Sequence, residues 1–270
     1  MNDELGTRIK EQYENRTRYF VPRRTYTILR LDGKAFHTYT KGLKKPFDSE
    51  LSEDIDNAII AMLPEIQGAV FAYTQSDEIS ILLTDFATPQ TSAWFDGNIQ
   101  KMSSVAASIM TAEFNRVRIN RNRNNWNSNK SNGMYPGNEK LAYFDCRVFT
   151  IPDRTEVMNY FIWRNQDCVR NSVSMVAQSN FSHKELQNKS QKDMHEMLHQ
   201  KGINWATDFT DGEKNGRVIM KEEYTLKCKS IVLEGETYDT SSPRTRWVSK
   251  GAWKFTEDKD KLLNMIPKYE

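Results

Sequence analysis

Cysteine is scarce in this sequence: Cys146, Cys168 and Cys228 are the only three. An odd number of thiols without metal-ligand spacing argues against a disulfide framework and fits a reducing, cytoplasmic setting. Excess charge is missing too. Lysine and arginine number 38 against 36 acidic residues, a net charge of +2, so any nucleic-acid surface has to be a local patch. No apolar run approaches the ~20 residues needed to cross a bilayer. The start, Met1-Asn2-Asp3-Glu4, is polar and acidic, which reads as soluble and unsecreted. With no internal repeat and no Pro/Gly/Ser linker, residues 1–270 read as a single compact unit, with a core over about 25–151 and a helical and hairpin region over about 152–270.

What is present is an orderly alternation of short patterns. Thr25 to Leu31 alternates like a strand and stops at Asp32-Gly33. Leu51, Ile55, Ala58, Ile59 and Met62 recur at helical spacing within Ser49 to Leu63. Gly68 to Tyr73 and Ile79 to Leu83 read as a hairpin, and Ser92 to Phe114 as a second helix. The asparagine-rich stretch Asn115 to Asn132 has too little apolar content to pack and is expected to be a mobile loop. Tyr143 to Ile151 then returns as a strand bounded by Pro152.

The order βαββαβ predicts an α+β fold with a ferredoxin-like core, the split βαβ arrangement of polymerase palms and nucleotide cyclases. In that topology the end of the first strand and the turn between the second and third share one sheet edge. Asp32 and Asp77 become neighbours. Beyond Pro152 the patterns predict a mainly helical appendage: Glu156 to Ser179, Ser182 to Asn188, and Gln191 to Gln200 before Gly202. A small C-terminal β-hairpin, Gly216 to Tyr224 with Ser230 to Glu234, follows, and then a basic, aromatic end.

Two blocks carry the chemistry: Arg30-Leu31-Asp32-Gly33-Lys34-Ala35-Phe36-His37 and Tyr73-Thr74-Gln75-Ser76-Asp77-Glu78. Each puts a carboxylate where an apolar run stops, a usual way to hold a hard cation against phosphate oxygens. Gly33 allows close backbone approach, and the peptide N–H groups that follow can cradle a triphosphate. Asp32 and the Gly33 carbonyl would be magnesium ligands, and Asp77 would bridge two ions, as two-metal phosphoryl chemistry requires. Glu78 reads as an outer group or a solvated hairpin residue. The plain alternative is that Asp-Gly and Ser-Asp are ordinary turn formers.

Other signals are weaker. His195-Glu196-Met197-Leu198-His199 has zinc-site spacing, but Gly202 ends the helix and no third ligand follows. Arg116, Arg118, Arg121 and Arg123 could clamp phosphates from the asparagine-rich stretch. Arg244, Arg246, Trp247, Lys250, Trp253 and Lys254 interleave cations with indoles, as a stacking platform or a packed interface would. Cys168 reads as a buried thiol.

Arg30-Leu31-Asp32-Gly33 with Phe36-His37, then Lys45-Pro46 with Asp48, Gln75-Ser76-Asp77-Glu78, Phe144-Asp145 with Arg147, and Trp163-Arg164 with Asp167-Cys168 resemble the ordered motifs of the tRNA-His guanylyltransferase family. The collinear match runs from about Arg30 to Met220. The resemblance implies a palm-like core that adds nucleotides in the 3′-to-5′ direction. ATP or GTP activates a tRNA 5′ end, and the 3′-hydroxyl of an incoming nucleoside triphosphate then attacks it. It also implies two magnesium ions on Asp32, Gly33 and Asp77, and a triphosphate cradle from Lys34 to His37. Nucleotide contacts would fall on His37, Ser76, Lys45, Asp48 and Lys101, with Arg147 and Arg164 as further RNA contacts. The assembly implied is a homo-oligomer, dimer or tetramer.

Two departures stand out. Phe47 replaces an asparagine of eukaryotic members, and Val169 to Met175 replaces the His-led motif associated with G-1 addition to tRNA-His. The first implies different base-side contacts, and the second makes the segment similar to the bacterial and archaeal "like" proteins, which favour templated repair of 5′-truncated tRNA. G-1 addition is one rival reading. A palm-fold nucleotide cyclase and a noncatalytic RNA-binding module are the others.

Overall fold

The computed structural model describes residues 3–128, 140–231 and 237–269. Helix α1 (Glu4–Gln12) precedes strand β1 (Tyr26–Gly33), the short α2 (Phe36–Tyr39) and α3 (Ser49–Met62). The hairpin β2 (Ala69–Gln75) and β3 (Glu78–Leu83), the long α4 (Ile99–Ser128), β4 (Phe144–Ile151) and α5 (Arg154–Asn180) follow. Four short helices come next: α6 (His183–Leu186), α7 (Gln191–Gln200), α8 (Trp205–Asp208) and α9 (Asp211–Asn215). Strands β5 (Arg217–Ile231) and β6 (Thr237–Gly251) and helix α10 (Lys259–Met265) close the chain.

The six strands form one sheet in the order β4-β1-β3-β2-β5-β6, every neighbour antiparallel. Strands β1 and β2 therefore run parallel with β3 between them, as the βαββαβ order predicts. The sheet is covered on both faces, which explains why β1 is apolar at successive positions rather than at alternate ones. Leu29 and Leu31 pack with Ile55, Ile59, Met110 and Phe114 of α3 and α4. Tyr26 and Ile28 pack on the other face with Val157 and Phe161 of α5 and Leu262 of α10.

Helix starts follow their caps. Asp48 accepts from Leu51 N at α3, and Asp153 accepts from Thr155 N and Glu156 N at α5. A third cluster joins Val176, Ala177 and Leu198, with Phe47 packed against it and edge-on to Phe209, ring centroids 5.5 Å apart.

Two expectations are corrected. The stretch from Asn115 is no loop: α4 continues through it to Ser128, and the remainder to Asn132 lies outside the described residues. Its polar residues find partners that composition does not reveal. Asn115 bonds Ala142 N and O across to the β4 segment, and Arg118 and Arg121 reach α3. The C-terminal hairpin also differs from expectation: Ser230 and Ile231 end its first strand, residues 232–234 lie outside the described residues, its second strand is β6, and the hairpin belongs to the main sheet. Phe71 to Thr74 of β2 pair with Arg217 to Met220 of β5, and the basic, aromatic segment is largely strand β6.

Candidate active site

Strand β1 and the β2–β3 turn deliver the two predicted carboxylates to one end of the sheet. Gln75 pairs with Glu78, so Ser76 and Asp77 alone make the turn, and Ser76 sits at φ 49°. A β-carbon added to Gly33 would stand 2.8 Å from Asp77 Oδ2 and 2.9 Å from its Cβ. Only glycine leaves room for this approach. Across the sheet Asp32 faces Asp145 of β4, a like-charge pair.

Asp32 is raised above the ordinary carboxylate range, chiefly by burial and then by Asp145 and Glu78. Asp77 is pushed up to about 6, again chiefly by burial, with Ser76 opposing and Asp32 adding to the rise. Neither makes an ion pair among the described residues. Glu78 behaves differently. It is 9% exposed and takes Arg30 Nη2 at 2.6 Å, Arg164 Nε at 2.6 Å and Arg164 Nη2 at 2.7 Å. The solvated-residue reading of Glu78 is thereby corrected: it is a buried, doubly paired carboxylate joining β1, β3 and α5.

A cavity of ≈ 370 Å³ opens beside these residues and is lined by Asp32, Ser76, Asp77, Lys45 and Asp48 together. Phe47, Leu51 and Ile55 give it an apolar wall, and Asn171, Ser172 and Met175 of α5 a mixed, mainly polar one. Asp48 is also engaged in its own loop, accepting from Lys44 N at 3.1 Å and Leu51 N at 2.9 Å. In the segment read as a cradle, Lys34 N donates to Tyr143 O at 2.8 Å, and Ala35 takes φ 49°. The side chain of Phe36 faces the core, stacked on Tyr39 at 4.9 Å, so only its backbone is available to a ligand. His37 is exposed, with a ring nitrogen 3.0 Å from Thr38 Oγ1.

Several predicted residues are not brought to the cavity. Lys101 lies beside a separate groove with Glu14 and Arg18. Arg147 is exposed on β4, opposite Arg30, where its charge lowers the Asp32 value. Arg164 is 3% exposed and its donors are spent on Glu78 and on Asp167 at 2.8 Å, which removes it from any RNA surface. Arg118 and Arg121 bind the fully buried Asp54 at 2.7 and 2.5 Å, and Arg121 also binds Glu53 at 2.6 Å. Arg116 pairs with Glu113, while Arg123 is exposed on the same helix.

Sequence reasoning quoted Gln75 within its motif without giving it a role, and passed over Arg217, which lines the cavity with it, and Asp56, which grips Arg217. Arg217 opens a strand directly after the positive-φ Gly216, a signal of a turn but not of a site. On α7, His195 packs edge-on to Trp205 at 5.5 Å. Among the described residues no group of three or more His, Cys, Asp or Glu is arranged to hold a metal, and none of the helices is long and apolar enough to cross a membrane.

Comparison with known proteins supplies the family. The sequence model described as tRNAHis guanylyltransferase, Thg1, matches residues 7–152. A bacterial tRNA(His) guanylyltransferase (Thg1)-like protein, solved in complex with ATP, is 38% identical with a TM-score of 0.80, covering 98% of this chain and 99% of that one. Its counterpart in complex with GTP is 36% identical with a TM-score of 0.76, covering 97% and 99%. The tRNA(His) guanylyltransferase of Debaryomyces hansenii is 27% identical over 233 residues, 80% of either chain. With its motifs collinear and its fold shared over nearly the whole length, this chain belongs to the tRNAHis guanylyltransferase family of nucleotidyltransferases.

Proposed function

We propose that this protein is a magnesium-dependent nucleotidyltransferase that extends the 5′ end of tRNA in the 3′-to-5′ direction, as templated repair. One observation carries the reading: Asp32 and Asp77, remote in sequence, meet at one end of the cavity without a cation of the protein between them. The strand order β4-β1-β3-β2 supports a palm-like core under them.

The residues fit a hard divalent cation. Two carboxylate groups raised by burial and by neighbouring carboxylates are oxygen donors that a cation would stabilise, and Gly33 keeps a side chain from filling the space beside Asp77. Asp32, Asp77 and the Gly33 carbonyl would hold it. When bound, magnesium supplies charge neutralisation for the triphosphate and activation of the attacking hydroxyl.

The chain's own groups do the remainder. Backbone N–H groups of Ala35 to His37 meet the phosphates, with Lys45 supplying positive charge and Ser76 a hydroxyl at the turn. The apolar wall at Phe47 and Leu51 suits the face of a base, and neighbours solved with ATP and with GTP support a nucleotide in this cavity. Glu78, neutralised by Arg30 and Arg164, fixes the turn that carries Asp77. Exposed Lys34 and Arg147, which follow and pair with β1, are cations available to an RNA 5′ end.

Repair is favoured over G-1 addition because Val169 to Met175 stands where the His-led motif would be, and Asn171, Ser172 and Met175 of it line the cavity. The setting is cytoplasmic and the assembly a homo-oligomer, which the exposed Leu5, Ile9 and Tyr13 of α1 and its end support. Asp32→Ala and Asp77→Ala should each abolish addition to 5′-truncated tRNA while leaving circular dichroism unchanged. Undiminished extension by either variant would refute the assignment.

A further inference from the structure

Two buried polar atoms among the described residues have no hydrogen-bond partner, Gln75 Oε1 and Arg217 Nη2, and both residues line the same cavity. An unpaired buried polar group forfeits its hydration without a replacement bond, so native proteins keep few of them without a reason. Here there are two, from adjacent strands, at the sheet end that carries Asp77: Arg217 pairs with Thr74, and Gln75 is the next residue.

Both side chains are enclosed. Gln75 is 7% exposed, on the strand that leads directly into the Ser76-Asp77 turn. Arg217 is fixed from one side by Asp56, whose carboxylate takes Arg217 Nε at 2.7 and 2.9 Å and Ser249 Oγ at 2.7 Å. That grip uses Nε and leaves Nη2 over. The pair is thus a buried acceptor and a held donor beside a cavity whose other walls are partly apolar.

On the reading that this cavity takes a nucleoside triphosphate, we propose that Gln75 and Arg217 read the edge of its base. A ligand that satisfies both must offer a donor and an acceptor on one rigid framework. An amino-bearing purine does so, and a glutamine amide matches an adenine edge in particular. The triphosphate cannot satisfy the pair, since it carries acceptors only and its charges belong beside Asp32, Asp77 and their cation.

Selectivity should follow the usual asymmetry: a site built to hydrogen-bond a group rejects an analogue lacking it more strongly than an apolar pocket rejects a misfit. The two residues are specificity determinants and touch no reacting bond. Gln75→Leu is the informative variant, because it keeps bulk and removes the amide from a buried position. Arg217→Lys is the second, since it retains a charge beside Asp56 while losing the planar fork.

The experiment is titration calorimetry with the full chain and magnesium, using ATP, purine riboside triphosphate, which lacks the 6-amino group, and inorganic tripolyphosphate. For the unaltered protein, ATP should bind about tenfold more tightly than the 6-unsubstituted analogue, in line with one lost hydrogen bond of roughly 1.4 kcal/mol. In Gln75→Leu that preference should vanish, in Arg217→Lys both purine nucleotides should bind several-fold more weakly with the preference kept, and tripolyphosphate affinity should stay the same in all three proteins. Equal losses for ATP and tripolyphosphate, or an unchanged preference in Gln75→Leu, would overturn the base-reading role. Absence of any nucleotide binding by the unaltered protein would overturn the nucleotide site itself, and this inference with it.

Discussion

Asp77 and Glu78 are sequence neighbours with opposite circumstances. Glu78 is buried against two guanidinium groups, whereas Asp77 is buried beside Asp32 with no cation. Because Asp77's folded value of about 6 stands above the ordinary 3.8, the folded protein holds that proton more tightly than the unfolded chain. Its contribution to stability is complete below pH 3.8 and is lost as pH rises through about 6. Asp77→Asn should therefore raise the melting temperature at pH 7.5 in a chelator by a few degrees, and the gain should disappear near pH 4. A melting temperature unchanged at both pH values would mean that Asp77 carries no such penalty. The reverse holds at Glu78. Arg164→Met leaves that carboxylate with Arg30 alone and should cost about 3–5 kcal/mol, as removal of one partner from a buried pair does. Adding Glu78→Gln should recover part of the loss in chemical denaturation.

At the scale of elements, the α3–α4 clasp shows how arginines that look like an RNA surface can serve the fold. Asp54 is fully buried, and Arg118 and Arg121 close on it from α4. Asp54→Asn should lower the melting temperature by several degrees and speed amide exchange across residues 115–124, while the sheet stays protected. The elements most legible in the sequence were those whose apolar residues repeat: β1 to β4, α3, α5 and α7 all lie within a few residues of the predicted spans. Helix α4 was misread beyond Phe114 because asparagine and arginine there gain partners from distant segments, which a local composition cannot show. The reach of β6 was missed for a related reason. Its alternating residues cover a sheet edge rather than a buried core, and Arg246 and Lys250 point to Glu222 across the hairpin.

For the whole molecule, topology is what converts two local motifs into one site. The strand order brings the end of β1 beside the β2–β3 turn, and the loop at Lys45 to Asp48 folds back over the same cavity, anchored by Phe47 in the third cluster. The carboxylate pair and the Lys45-Asp48 loop could be anticipated from sequence, since motif order and element order agree. Arg217 and Asp56 could not, because only the pairing of β5 with β2 brings Arg217 there. The hairpin continues past Met220 without β2 beside it, so amide protection should fall beyond that residue on β5 while remaining high from Arg217 to Met220. The most direct test of the central claim is extension of a 5′-truncated tRNA with magnesium, ATP and all four nucleoside triphosphates, by the unaltered protein and by Asp32→Asn/Asp77→Asn. The account predicts templated 5′ growth by the former and none by the correctly folded double variant. Growth at the same rate in both would contradict it.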